Sequence, residues 1–294
     1  MSVRKNKDGF VFRIICYLVI TLFALICLFP FVLMIVSSFM NEKEIMAEGY
    51  KLFPKELTTS AYEFLLRNPT KLVDAYTVTI FITVVGTVCA LFIMSMAGYV
   101  LSRRNFKYRN AFSFFIYFTT LFSGGLVPSY ILMIKLGLKD NILAMILPGV
   151  VSAWSIFLMK NFMKSIPDSL YESAAIDGAG DFRIYWQIFL PLSKPSLATV
   201  GLFSALGFWN EWYNAMLYIQ TPSKFPLQYF LQKIVSQANI QLLIQQGAVV
   251  NTVDLPSESI KMATAVVAIG PIILLYPFVQ RYFISGLTIG AVKG

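Results

Sequence analysis

The chain is 294 residues long, 57% of them hydrophobic and only 13% charged, about half the charge share of an ordinary soluble domain. No stretch is both long and polar enough for a separate soluble domain, so the lipid bilayer must absorb the excess apolar surface. The absence of histidine removes the commonest general base and metal ligand. Cys16, Cys27 and Cys89 lie inside apolar runs without the paired spacing of a metal knuckle or redox motif, and they read as small packing residues.

A helix needs roughly 20 apolar residues to cross the hydrocarbon core. The first such run, about 14–36, follows the basic segment Arg4-Lys5-Asn6-Lys7. It is too long for a signal-peptide core and no small-x-small cleavage site follows it, so it reads as a retained first helix. Further runs lie at about 76–101, 111–134, 142–163, 197–219 and 263–284. Pro148 and Gly149 interrupt the fourth, and Glu211 places a charge in the fifth. The runs are continuous and lack the alternation of an outer-membrane barrel. The expected fold is therefore all-α and polytopic, with about six transmembrane helices between residues 14 and 285. Residues 1–13 and 286–294 form terminal segments.

Six spans put both termini on one side, and the positive-inside rule selects the cytoplasm. With that orientation the inner segments hold 14 of the 24 basic residues against five of the 15 acids. The compact loop Ser102-Arg-Arg-Asn-Phe-Lys-Tyr-Arg-Asn110 is the strongest local vote. Topology and anionic headgroups account for the net charge of +9 without any nucleic-acid partner. The outer segment from about Gln220 to Lys261 is rich in glutamine. It is expected to be a helical, water-facing segment able to touch a delivering protein, or an ordinary solvated loop.

The inner loop at 164–191 has dense local signals. Ser165-Ile166-Pro167 suits a helix start, and Ser169 with Glu172 offers an alternative capping box. Gly178 and Gly180 stop the helix. Asp181 is expected to cap a second short helix, which Pro191 ends. The resulting helix, glycine turn and helix suit docking into a partner's groove, or equally a helix lying on the headgroups.

Spacing adds what local physics leaves open. The loop carries Glu-x-Ala-x3-Gly-x9-Ile-x-Leu-Pro, at Glu172, Ala174, Gly178, Ile188, Leu190 and Pro191. This pattern resembles the coupling-loop signature of permease subunits of ATP-binding-cassette importers. Ser173 departs from the usual first alanine, a small-for-small change. Ala175-Ile-Asp-Gly-Ala179 is similar to the carbohydrate-uptake branch, the relatives of the maltose transporter's G-type permease. Phe122-Ser-Gly-Gly-Leu-Val-Pro128 further resembles a subgroup linked to larger oligosaccharides or lipoprotein-associated uptake. Trp209-Asn-Glu-Trp212 and the closing Gly286–Gly294 segment extend the likeness over nearly the whole chain.

The resemblance implies a type I importer permease fold in a bacterial cell membrane, with coupling helices facing the cytoplasm. It implies an ATPase-coupling role for Glu172, Ser173, Ala174, Asp177, Gly178, Ile188, Leu190 and Pro191. Glu172 makes the charged contact, and Gly178 makes the turn. The implied partners are a second, similar permease, a cytoplasmic ATPase dimer and an extracellular or periplasmic sugar-binding protein. The chain has no Gly-x4-Gly-Lys-Ser/Thr phosphate loop. ATP and magnesium would therefore be used by the partner, and this chain would bind no cofactor.

In the fifth span, Trp209, Asn210, Glu211 and Asn214 combine aromatic rings, amides and a carboxylate, a mixture that suits sugars. A carboxylate at mid-bilayer costs about 2.5–3.5 kcal/mol on insertion scales, so it usually faces a cavity. An aromatic belt at the outer interface or a structural bond to the companion permease would fit the same residues. A stand-alone secondary transporter or channel is the competing class, but the chain shows one intramembrane charge and no internal repeat. A membrane enzyme would need paired carboxylates or a metal cluster. Asp177 and Asp181 lie four apart across two glycines and read as caps.

Overall fold

The computed structural model describes residues 7–67, 69–236 and 258–271. The chain divides into two compact units, residues 1–69 with 233–270 and residues 70–232 with 271–294.

In the first unit, α1 (Lys7–Ser37) is apolar all round, and none of its most apolar window is buried. A helix of that kind is stable only with lipid or another protein against it. Two short helices follow, α2 (Glu42–Glu48) and α3 (Ser60–Leu66). The Glu42 carboxylate accepts from the backbone N–H groups of Glu258 and Ser259 at 2.9 and 3.0 Å, and from the Ser259 hydroxyl at 3.0 Å. It thereby satisfies the free donors that open the helix at residues 258–271. Ala61 and Leu65 pack on Ile260 and Ala263 of that helix.

The second unit is built on α4 (Pro69–Ser102), long enough and apolar enough to cross a membrane alone. The other spans are bent. α5 (Arg109–Leu121) and α6 (Leu126–Lys135) meet at 115°, so the continuous third span expected over 111–134 is replaced by two helices. The break falls on Ser123-Gly124-Gly125, where Gly125 has φ +83°, open only to a residue without Cβ. The expected interruption of the fourth span is observed. α7 (Leu143–Ile146) runs through a 3₁₀ turn, Leu147–Gly149, to α8 (Ala153–Lys164), with a bend of 47°.

The expected fifth span, 197–219, also proves discontinuous. The helix Lys194–Trp209 (α12, numbered after three short helices within 164–192) stops at Asn210, and α13 (Tyr213–Tyr218) begins after Trp212. A helix at residues 227–236 (α14) buries Leu227, Tyr229 and Leu231, so this part of the outer segment is amphipathic rather than uniformly water-facing. Gln237, Gln245 and the neighbouring glutamines lie outside the described residues. So do most of the sixth expected span and the 286–294 tail.

The core joins α4, α8 and α12. Ile82, Ala90 and Met94 of α4 pack with Ile156 and Met159 of α8 and with Val200 and Phe208 of α12. The Phe208 ring fills a slot between Gly86 and Gly149, where a Cβ on either glycine would lie 2.7 Å from it. The loops after α6 and α13 are tied at Asp140, whose carboxylate accepts from the Thr221 hydroxyl, the Thr221 and Gln220 amides, and the Lys224 ammonium. These donors, led by Thr221, hold its carboxyl well below the usual carboxylate range.

Candidate functional site

The inner loop folds as two short helical pieces around a glycine turn, as expected, but with different ends. α9 (Asp168–Ile176) starts after Pro167, and Ser165 instead closes α8, so neither Ser165 nor Ser169 caps it. At the other end the Gly178 N–H donates to Ala175 at 3.1 Å and the Ala179 N–H to Ala174 at 2.9 Å. This is a Schellman ending with Gly178 at φ +81°.

α10 (Asp181–Ile184) has Gly180 as its cap residue. The Asp181 carboxylate accepts from the Tyr171 hydroxyl at 3.0 Å rather than capping. Pro191 does not end the second helix either. The turn widens into a π-helical segment, Tyr185–Phe189, and α11 (Leu190–Leu192) continues from it. The Leu190 N–H reaches back five residues to the Tyr185 carbonyl. The wider turn eases the clash of the proline ring with the carbonyl four residues earlier. The chain then bends by 82° into α12, whose first turn contains Pro195.

Folding splits the motif residues between two faces. Ala174, Ile188 and Leu190 turn inward against a cluster of Tyr99, Met163, Ile166, Ile184, Tyr185 and Phe189. A buried hydrogen bond of 2.7 Å joins the Tyr185 and Ser95 hydroxyls and ties the element to α4. On the outer face Glu172, Ser173, Asp177 and Gly178 are exposed, as is Pro191. Beside them Ile176 is 86% exposed, Phe182 61% and Trp186 51%, with the last two rings stacked at 6.3 Å. Small polar groups, two carboxylates and an uncovered apolar ledge make up this face.

The second predicted group, in the fifth span, is only partly brought together. Trp209 is buried, and the Asn210 side chain spans Leu206 and Gln228. Glu211 accepts from the Asn214 N–H at 2.8 Å and from the Asn214 amide at 2.9 Å, so its carboxylate closes the first turn of α13. Of the four residues, Glu211 alone lines a cavity of about 530 Å³. Its other walls include Ser152, Trp154, Ser155, Phe203 and Ser204, with Trp154 edge-on to Phe203 at 5.3 Å. Aromatic faces, hydroxyls and a carboxylate on one wall can stack on and hydrogen-bond to a polar, ring-shaped solute.

Residues 94–289, from the last turns of α4 onward, match the family model of the binding-protein-dependent transport system inner membrane component. The chain belongs to that family. It is 38% identical over its full length, and over 98% of the relative's, to Protein LplC of Bacillus subtilis (strain 168). It is 37% identical, over 99% of its own length and all of the relative's, to the polygalacturonan/rhamnogalacturonan transport system permease protein YtcP of the same organism. Among solved structures, it resembles a bacterial ABC transporter involved in the import of the acidic polysaccharide alginate. That likeness has a TM-score of 0.80 at 31% identity, covering 96% of this chain and all of that one.

The all-α permease fold expected from the sequence is thus borne out. Nothing in the sequence marked the residues that hold the permease's 164–191 loop in place, Tyr99, Tyr171, Tyr185 and Phe189. Tyr171, Tyr185 and Phe189 sat inside the loop as unassigned aromatics. Trp154 and Phe203 were equally unmarked, because hydropathy cannot tell a cavity-facing ring from a lipid-facing one.

Proposed function

We propose that this permease is one of two similar membrane subunits of an ATP-driven importer, and that its solute is an oligosaccharide. Residues 164–191 receive the motion of a cytoplasmic ATPase dimer, which uses ATP and magnesium, and this chain has no ATPase site of its own. Both termini face the cytoplasm, and a binding protein outside the membrane delivers the sugar. The observation that carries the reading is the two-faced inner loop. Its inward face is locked onto α4 and α8, while Glu172, Asp177, Gly178 and the Ile176-Phe182-Trp186 ledge stay uncovered. An element fixed on one side and bare on the other can pass a rigid-body movement to the helices behind it.

The cavity beside Glu211 supports a sugar pathway at that level, with the second permease supplying the opposite wall. The names of the relatives, a polygalacturonan/rhamnogalacturonan permease and an alginate importer, favour an oligosaccharide over a smaller sugar.

The test uses the assembled transporter with its ATPase and binding protein. Gly178→Trp puts a Cβ on a left-handed backbone and a bulky ring on the docking face, so uptake should fall while ATP hydrolysis continues without it. Glu172→Ala should weaken co-purification of the ATPase. Wild-type coupling and wild-type co-purification in both variants would refute the proposal.

A further inference from the structure

The inner basic loop contains two consecutive arginines with opposite fates. The Arg104 side chain is 81% exposed, as a residue placed for topology should be, but that of Arg103 is only 7% exposed. The Arg103 guanidinium carbon lies 4.2 Å from the centre of the Phe189 ring, 5.3 Å from Tyr99 and 5.5 Å from Tyr171. Its Nε and Nη2 both donate to the Ser102 hydroxyl at 3.2 Å, which in turn donates to the Tyr99 carbonyl at 2.7 Å. Asp168, at the start of α9, lies 3.9 Å from Nη1 and pairs with Arg104 at 3.1 Å.

A buried charge is unfavourable unless its surroundings replace water. Here three ring faces, one hydroxyl and one carboxylate do so. Those groups come from both sides of one boundary. Tyr99 and Ser102 belong to α4, whereas Asp168, Tyr171 and Phe189 belong to the two arms of the inner loop. Lysine could supply the charge but not a flat group able to lie against Phe189 while its nitrogens reach Ser102. Positive-inside topology is satisfied equally well by a side chain in water, so it does not explain why Arg103 is enclosed.

We propose that Arg103 is the positioning residue that fastens the Asp168–Leu192 element to the inner end of α4. Force applied to the exposed face of the loop then displaces α4 instead of hinging the loop away from it. Without this pin, the ties to α4 among the described residues are the Tyr185–Ser95 hydrogen bond and the apolar cluster, and just beyond α4 the exposed Arg104–Asp168 pair at 3.1 Å and the Asn105–Tyr171 contact at 3.2 Å. The inference rests on the proposed coupling role of the loop.

The experiment measures sugar moved per ATP hydrolysed in purified, assembled transporter, for Arg103→Gln and for Glu172→Ala in parallel. Arg103→Gln should keep the ATPase attached and leave basal hydrolysis near wild type, while sugar moved per ATP falls at least tenfold. Arg103→Lys should recover only part of the loss. A residue serving stability alone would reduce the yield of assembled transporter without changing the ratio. If Arg103→Gln does not assemble, Phe189→Leu, which removes the ring face but keeps the site apolar, is measured in its place. A wild-type ratio in whichever variant assembles overturns the pin. Should Glu172→Ala lose the ATPase while that variant couples normally, the pin alone fails. Should Glu172→Ala and Gly178→Trp both retain the ATPase and wild-type coupling, the coupling reading beneath it fails.

Discussion

The close packing around the Phe208 ring yields a sharp test at Gly86. An alanine Cβ there would lie 2.7–2.8 Å from three atoms of the Phe208 ring, against an optimum of about 3.5–4.0 Å between carbons. The ring is crowded from a second backbone as well, since a Cβ on Gly149 would also meet it at 2.7 Å. Overpacking of this kind costs about 1–3 kcal/mol. Against it stands the gain from replacing a helical glycine by alanine, about 0.8–1 kcal/mol. Gly207, on α12, is the control, since a Cβ there meets nothing within 4 Å. Gly207→Ala should therefore show the propensity gain alone, and Gly86→Ala should be less stable than it by about 1–3 kcal/mol. Thermal unfolding of the purified protein in detergent reads the difference, at roughly 2–4 °C per kcal/mol. In a Phe208→Leu background the obstructing ring atoms are gone, so Gly86→Ala should change sign and stabilise. The double-mutant cycle should give a coupling of about 1 kcal/mol or more. Equal stability of the two alanine variants, or an additive cycle, would refute the slot.

Three further outcomes are expected. Glu211→Ala should lower stability by about 0.5–2 kcal/mol through loss of the cap on α13 and should impair uptake without preventing assembly. Glu211→Gln keeps an acceptor for the Asn214 N–H and should retain the stability, so its uptake reports the charge alone. Normal uptake by the alanine variant would remove Glu211 from the pathway. At Asp140 the depressed carboxyl means that its contribution is complete above the ordinary aspartate range and fades as pH falls through and below it. Asp140→Asn should flatten that acid-side loss in a pH series of unfolding curves, and an unchanged acid limb would contradict the tie. Glu42→Ala should destabilise the helix at 258–271 by about 1 kcal/mol, seen as faster amide exchange in residues 258–262. Wild-type protection there would refute the cap.

Much of this permease was legible because the bilayer imposes simple requirements on sequence. A run of about 20 apolar residues has few fates, and basic loops have a preferred side. The helix–turn–helix of the inner loop was legible for a local reason, since Gly178 provides the left-handed turn that ends α9. Local signals misled where several competed for one function. Ser165 and Ser169 each offered a start, yet the proline between them fixed where the helix opens. Pro191 signalled a stop, but a π-helical turn let the helix pass it.

The breaks within the third and fifth spans were not legible, because hydropathy sums over a window and is blind to a few residues that change direction. Phe122–Gly125 and Asn210–Trp212 remain apolar or aromatic enough to pass as span. By itself the sequence determined an all-helical membrane protein with a helix–turn–helix loop at 164–191, since those features depend on composition and short-range spacing. Only the tertiary structure decided that Ile188 and Leu190 anchor the loop while Glu172 faces outward. It alone placed Glu211 on a cavity wall and enclosed Arg103 while leaving Arg104 in water. Those distinctions depend on which residues distant in the chain meet, as Tyr99 meets Phe189, and spacing along one segment carries no record of that.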